Sequence, residues 1–184
     1  GTNIFHNPPR PYIRNLDLLP FPAWHLLDLE PYRLPLNREK FLIISPIRGC
    51  PYPCSFCTAK TYYGQKIRKK SVPRVIEEIG YILERFGIRN FLIWADTFTA
   101  DRQYVMEFCE AIGQKRLNIS WACNSRVDTV DDNLLKQMAK AGCWMISYGI
   151  ESGDPHVLKA AKKNITIAQA QEAVSLAQKN GISV

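Results

Sequence analysis

Long apolar runs are missing from this 184-residue sequence. The longest stretch of that kind, Phe41 to Ile47, falls far short of the about 20 apolar residues a membrane-spanning helix needs, so no bilayer span is expected. The N-terminus lacks a basic region followed by an apolar one, which argues against a secretory leader and for a cytoplasmic protein. Histidine is sparse, and His6, His25 and His156 have no ligand-like spacing, so they read as surface or capping residues. Proline is nearly absent from the second part of the chain: ten of the 12 prolines occur by Pro53, and only Pro73 and Pro155 follow. The composition itself, 46% hydrophobic and 22% charged, excludes disorder, collagen and a small disulfide scaffold. The chain begins at Gly1 rather than Met and stops at Val184 in an apolar run, which reads as a piece of something longer.

Residues 1–40, with NPPRP, LPFPAW and LEPYRLPLNREK, hold no sustained helical or strand period and read as an extended linker on a surface. After Lys40 the pattern alternates. Phe41 to Pro46 is a β-rich run. Ser71 is a plausible N-cap for a helix with apolar Val72, Val75, Ile76, Ile79, Leu83 and Phe86, stopped by Gly87. Strands are expected at Asn90–Ala95, Asn118–Cys123 and Cys143–Ile150, and helices at Asp101–Gly113 and Asp131–Ala141. A last helix begins at Thr166, with Gln169 completing a capping box, and Ile182 to Val184 opens a fifth strand. This α/β pattern implies βαβ units and parallel strands. About five such units are fewer than the eight of a full barrel, so a partial (β/α) barrel is expected, with its chemistry at the carboxyl ends of the strands.

The net charge of +7 is concentrated. Lys60, Lys66, Arg68, Lys69, Lys70 and Arg74 lie together with no acidic residue among them, forming either a solvated loop or a phosphate-binding patch. The four tryptophans, Trp24, Trp94, Trp121 and Trp144, are expected in the core.

Six cysteines without secretory features point to metal or redox chemistry rather than disulfides. Cys109, Cys123 and Cys143 sit in apolar patterns and read as small hydrophobes. Cys50, Cys54 and Cys57 share one loop directly after the first strand, SPIRGCPYPCSFC, at C-x3-C-x2-C spacing. Gly49 permits a sharp backbone path there and the prolines stiffen it. A zinc site would more often show a second ligand pair, and none exists. Iron–sulfur cubanes usually take one cysteine per iron. Three cysteines leave one iron open, unless Cys123, at the end of the third strand, closes the site as a fourth ligand.

The C-x3-C-x2-C motif after the first strand resembles the radical S-adenosylmethionine (radical SAM) superfamily. Further matches are Phe56 beside the last cysteine, Ile93-Trp94-Ala95-Asp96-Thr97-Phe98 after strand two, and Ser147-Tyr148-Gly149-Ile150-Glu151-Ser152-Gly153 after strand four. The last motif is similar to that of the branch holding methylthiotransferases and cobalamin-dependent members. LPFPAW resembles the connector that follows a B12-binding domain in the cobalamin-dependent ones. Ala95-Asp96-Thr97 replaces the family's usual Gly-Gly-Glu.

The resemblance implies a core over residues 41–184, truncated at its C-terminus, preceded by a linker from an absent cobalamin domain. Cys50, Cys54 and Cys57 would hold a [4Fe-4S] cluster, and its open iron would chelate S-adenosylmethionine. Phe56 would neighbour the adenine, Asp96 and Thr97 the amino group, Glu151 and Ser152 the ribose, and Asn124, Ser125 and Arg126 the carboxylate. Several also have a plainer reading: Asp96 and Thr97 as caps, Glu151 and Ser152 ahead of Asp154-Pro155 as a helix cap, Arg126 as the partner of Asp128. The implied function is reductive cleavage of S-adenosylmethionine in a cobalamin-dependent methyltransferase or oxidative cyclase. Its partners would be a small-molecule substrate and a one-electron reductant such as flavodoxin or ferredoxin. A methylthiotransferase acting on tRNA or protein is the alternative, making nucleic acid a less favoured partner. An electron-transfer protein with a closed cluster is the non-catalytic alternative.

Overall fold

Short β-branched runs alternating with amphipathic helices build a parallel sheet in the computed structural model, which describes residues 4–8, 10–35 and 37–184. Residues 1–3, 9 and 36 of the expected linker lie outside the described residues. In chain order the elements are β1 (Phe41–Ile44), β2 (Ile47–Arg48), α1 (Ala59–Tyr62), β3 (Arg68–Lys69), α2 (Val72–Phe86), β4 (Asn90–Ile93), α3 (Arg102–Gln114), β5 (Ser120–Ser125), α4 (Asp132–Lys140), β6 (Cys143–Tyr148), α5 (Pro155–Ala160) and α6 (Ile167–Lys179).

The helix boundaries follow local capping chemistry. The side chains of Ser71, Asp101, Asp131 and Thr166 accept backbone N–H groups at the starts of α2, α3, α4 and α6, and Thr166 and Gln169 form the expected capping box. The main sheet has the order β1-β4-β5-β6, parallel throughout. Strand order follows chain order with no reversal, as in a barrel and not as in a doubly wound sheet. The four strands form an open arc. The expected fifth strand is reduced to one parallel bridge, Ser183 to Met145 on the outer side of β6.

Register decides which face is buried. Ile44, Ile93, Cys123 and Ile146 align across the sheet, and with Leu42, Phe91, Trp121 and Cys143 they face the helices in one apolar core. Phe98, Phe108 and Trp121 meet edge to face at its centre, with ring centroids 5.6–5.8 Å apart. The tryptophan expectation holds fully only for Trp121. Trp94 is 58% exposed, because it follows β4 on the open face of the arc, and Trp24 and Trp144 are half-buried.

The described part of the expected linker is extended but anchored. It contains short 3-10 turns at Leu16–Leu18 and Trp24–Leu26. Leu16 is fully buried, Asp17 accepts the Ser71 N–H at 2.7 Å, and Phe21 packs on Tyr81.

Lys60 and Lys66 of the basic segment are exposed, while the other four basic residues are engaged within the chain. Arg68 and Lys69 form β3, antiparallel to β2. Arg68 donates to the carbonyls of Ile13 and Tyr63, and Lys69 pairs with Asp101. Arg74 pairs with Glu77 and stacks on Phe21. Lys70 and Glu78 form an ion pair buried to 8% and 1% side-chain exposure. Breaking one half of such a pair strands a charge in the core, whereas replacing both with apolar groups removes the desolvation cost as well. Lys70→Met is therefore expected to cost about 3 kcal/mol or more in urea unfolding, and Lys70→Met/Glu78→Leu to recover most of that loss.

Candidate active site

The carboxyl ends of β4, β5 and β6 converge with the cysteine loop on a cavity of about 270 Å³. Its walls include Cys50, Cys54 and Cys57, all free thiols, together with Asp96, Thr97, Asn124, Arg126 and Glu151. Phe56 also lines it, with its side chain partly in solvent. Residues far apart in sequence thus meet where a parallel α/β fold places its chemistry.

The loop has almost no regular structure, so contacts from outside hold it. Gly49 adopts φ +95°, and a Cβ there would lie 2.3 Å from the Lys66 carbonyl oxygen. Its N–H donates to Asp96 Oδ2 at 2.9 Å, and the Cys50 N–H donates to the Gly64 carbonyl at 3.3 Å. Further on, the Ser55 N–H donates to the Ala161 carbonyl at 3.0 Å. Each sulfur has a polar neighbour. Cys50 Sγ lies 3.6 Å from the Thr97 hydroxyl, Cys57 Sγ accepts the Ala59 N–H at 3.4 Å, and Cys54 Sγ accepts from Arg126 Nη1 at 3.7 Å. The N–H donors on Cys54 and Cys57 suit ligating thiolates, whose excess charge they would share.

Asp96 caps the loop through one oxygen; burial raises its carboxyl above the usual range, and the Gly49 N–H pulls it partly back. Thr97 is buried beside Cys50 and donates to the Asp96 carbonyl at 2.7 Å. Asn124 spends its amide on both backbone groups of Ala95, tying the end of β5 to that of β4. Burial disfavours the Arg126 charge, but Asp128 outweighs it and raises the guanidinium above its ordinary value. Glu151, at φ +73°, accepts from Lys163 Nζ at 3.2 Å inside the cavity. Ser152 is not among the lining residues; its Oγ accepts the Asp154 N–H at 3.0 Å, ahead of α5.

Tyr52 and Lys163 are among the lining residues that had no assigned role in the sequence. Tyr52 stacks on Arg126 with 3.9 Å from guanidinium carbon to ring centroid. Lys163 is 6% exposed, with its ammonium 5.9 Å from the Phe56 ring. Nothing local marks Lys163 out from Lys159 and Lys162, because only the turn after α5 brings it inward.

Cys123 does not close the site. It lies in the helix-facing core beside Cys143, and burial first and that neighbour second push the Cys143 thiol well up. The error was one of face: Cys123 shares parity with Trp121, whereas Asn124 is the residue lining the cavity. Among the described residues, no three His, Cys, Asp or Glu converge on a single metal-ion position.

The sequence profile of the Radical SAM superfamily matches residues 44–184. The chain belongs to the radical SAM superfamily. It is 36% identical over 97% of its length to an uncharacterized methyltransferase of Pyrococcus horikoshii, covering 39% of that protein. To the anaerobic magnesium-protoporphyrin IX monomethyl ester cyclase of Rubrivivax gelatinosus it is 32% identical over 97% of the chain and 32% of the relative. This radical SAM chain therefore spans little more than a third of the curated relatives it matches. Its fold is similar to that of the radical S-adenosylmethionine methyltransferase TsrM from Kitasatospora setae, solved with cobalamin and a [4Fe-4S] cluster bound, with a TM-score of 0.71 at 18% identity over 79% of this chain and 30% of that one. No helix among the described residues is long and apolar enough to cross a membrane.

The backbone path at Gly49 is open to test. Gly49→Ala is expected to destabilise the chain by about 2 kcal/mol or more in urea unfolding, from strain at positive φ and the clash with the Lys66 carbonyl. Gly113 lies in α3, and a Cβ added there would meet nothing within 4 Å. Gly113→Ala is therefore expected to gain up to about 1 kcal/mol.

Proposed function

We propose that this radical SAM chain is the cofactor-binding core of a cobalamin-dependent methyltransferase or oxidative cyclase acting on a small molecule. The observation that carries the reading is the meeting of three free thiols on one loop with polar groups from three strand ends around a single cavity. Cys50, Cys54 and Cys57 hold a [4Fe-4S] cluster and leave one iron to S-adenosylmethionine. When bound and reduced, the cluster would supply one electron to the sulfonium of S-adenosylmethionine, whose cleavage would give methionine and a 5′-deoxyadenosyl radical.

The protein's part is to hold, orient and exclude water. Asp96 keeps one oxygen on the Gly49 N–H and offers the other to the cofactor's ammonium group, whose charge would offset the effect of burial on this carboxyl. Lys163 offers its ammonium to the cofactor carboxylate, and Glu151 accepts from the ribose. Phe56, with its ring partly in solvent, has a face to stack on adenine. Asn124 and Ser152 act indirectly, by fixing the strand end and the turn before α5. Thr97 steadies Cys50.

Residues 1–40 serve as the linker to an upstream cobalamin domain. The reductant is a cytoplasmic flavodoxin or ferredoxin, because free thiols and a reduced cluster belong in a reducing compartment. A methylthiotransferase acting on tRNA drew support from the basic segment, and the engagement of Lys69, Lys70 and Arg74 in internal ion pairs weakens that support.

The test is anaerobic reconstitution with iron and sulfide, followed by reduction and EPR with and without S-adenosylmethionine. A cubane signal that shifts on adding S-adenosylmethionine, vanishes in Cys54→Ala and persists in Cys123→Ala is the expected result. A signal indifferent to S-adenosylmethionine and lost with Cys123→Ala would mean a closed, four-cysteine site and overturn the reading.

A further inference from the structure

Arg126 follows β5 directly, and its side chain is only 4% exposed. Nε and Nη2 donate to the two oxygens of Asp128, each at 2.8 Å. Nη2 also donates to the Lys163 carbonyl at 2.7 Å, and the guanidinium stacks on Tyr52. The two-point carboxylate contact fixes the fork in its plane and the ring fixes its tilt. What remains is Nη1, which donates to Cys54 Sγ at 3.7 Å. Among the described residues, Cys54 is the one loop cysteine whose sulfur has a charged donor; Cys50 has a hydroxyl beside it and Cys57 a backbone N–H.

The three sulfurs are therefore electrostatically unequal. A guanidinium held only for packing would not need one N–H aimed at a sulfur, nor a carboxylate held on its far side. We propose that Arg126 is a positioning residue that presents a fixed positive charge to Cys54 and so sets the reduction potential of the cluster, with Asp128 as its counterweight. This rests on the reading that the three cysteines hold that cluster. Reduction adds one electron to the cluster and makes or breaks no bond in the protein. The added negative charge is favoured by the nearby guanidinium and opposed by the carboxylate, both acting where little water screens them. Hydrogen bonds to ligating sulfur act in the same direction as the cation.

Opposite signs separate this role from a structural one. With the chain reconstituted as above, the one-electron potential is titrated with dithionite and followed by EPR. Arg126→Gln is expected to shift the potential to more negative values and Asp128→Asn, which keeps the side-chain shape, to more positive ones. If Arg126 merely pins the loop, losing either partner loosens the same contact, so both variants shift the same way or not at all, and the proposal is overturned. Because Arg126→Gln leaves a carboxylate without its partner, failure of that variant to fold leaves the decision to Asp128→Asn: a positive shift supports the proposal, and a negative or absent one overturns it. A wild-type chain that takes up no cluster would overturn the reading of the cysteines, and this inference with it. A wild-type cluster whose potential neither variant moves would overturn the Arg126 assignment alone.

Discussion

The loop that brings three cysteines to one cavity has almost no regular structure, so contacts from outside do most to hold it. It is held at its entrance, where the Gly49 N–H meets Asp96 Oδ2 and a left-handed backbone passes close to the Lys66 carbonyl. It is held again in the middle, where Arg126 reaches Cys54 and stacks on Tyr52. Both anchors come from strand ends, Asp96 just past β4 and Arg126 just past β5. The site thus depends on the parallel register that brings those ends level. The buried face of the arc, filled by Phe98, Phe108 and Trp121, keeps that register rigid.

Charge is distributed with the same economy. The acid-free segment from Lys60 to Arg74 has the composition of a binding patch, yet several of its members find acidic partners on α2 and at the start of α3. The pairs of Lys69 and Lys70 tie the small β2–β3 sheet to the helices, and the cysteine loop begins at Gly49, directly after β2. At the cavity, Arg126 is paired from behind with Asp128, which is not among the lining residues, and Lys163 is paired with Glu151. Each pair leaves part of its hydrogen-bonding capacity turned toward the sulfurs or the cavity.

Most of the fold was legible because its signals are local. Capping side chains three residues from the N–H they bind, apolar spacing along a helix, and a glycine stop all operate within a turn or two. The cysteine spacing is equally local, and the three cysteines do line one cavity. Strand ends were harder to read. β5 was expected to stop at Cys123 and runs on to Ser125, which changes the residues at the carboxyl edge and assigns Cys123 to the helix side. Trp94 was expected inside and stands on the open face of the arc, where nothing in its neighbours' hydrophobicity distinguishes one face from the other.

Spacing along the chain was enough to establish that three thiols share a loop after the first strand, that helices and parallel strands alternate, and that polar residues end several strands. Those facts follow from interactions a few residues long. Which polar groups face the cavity, and which are already engaged, was settled by packing. Asn124 is committed to Ala95, Ser152 to the turn before α5, Arg126 to Asp128 and Cys54, and Lys163 is brought in from a distant turn. For Asn124, Arg126 and Lys163 those commitments, or the cavity itself, involve partners tens of residues away in the chain. Such partners meet only when register and crossover geometry have placed the strand ends side by side.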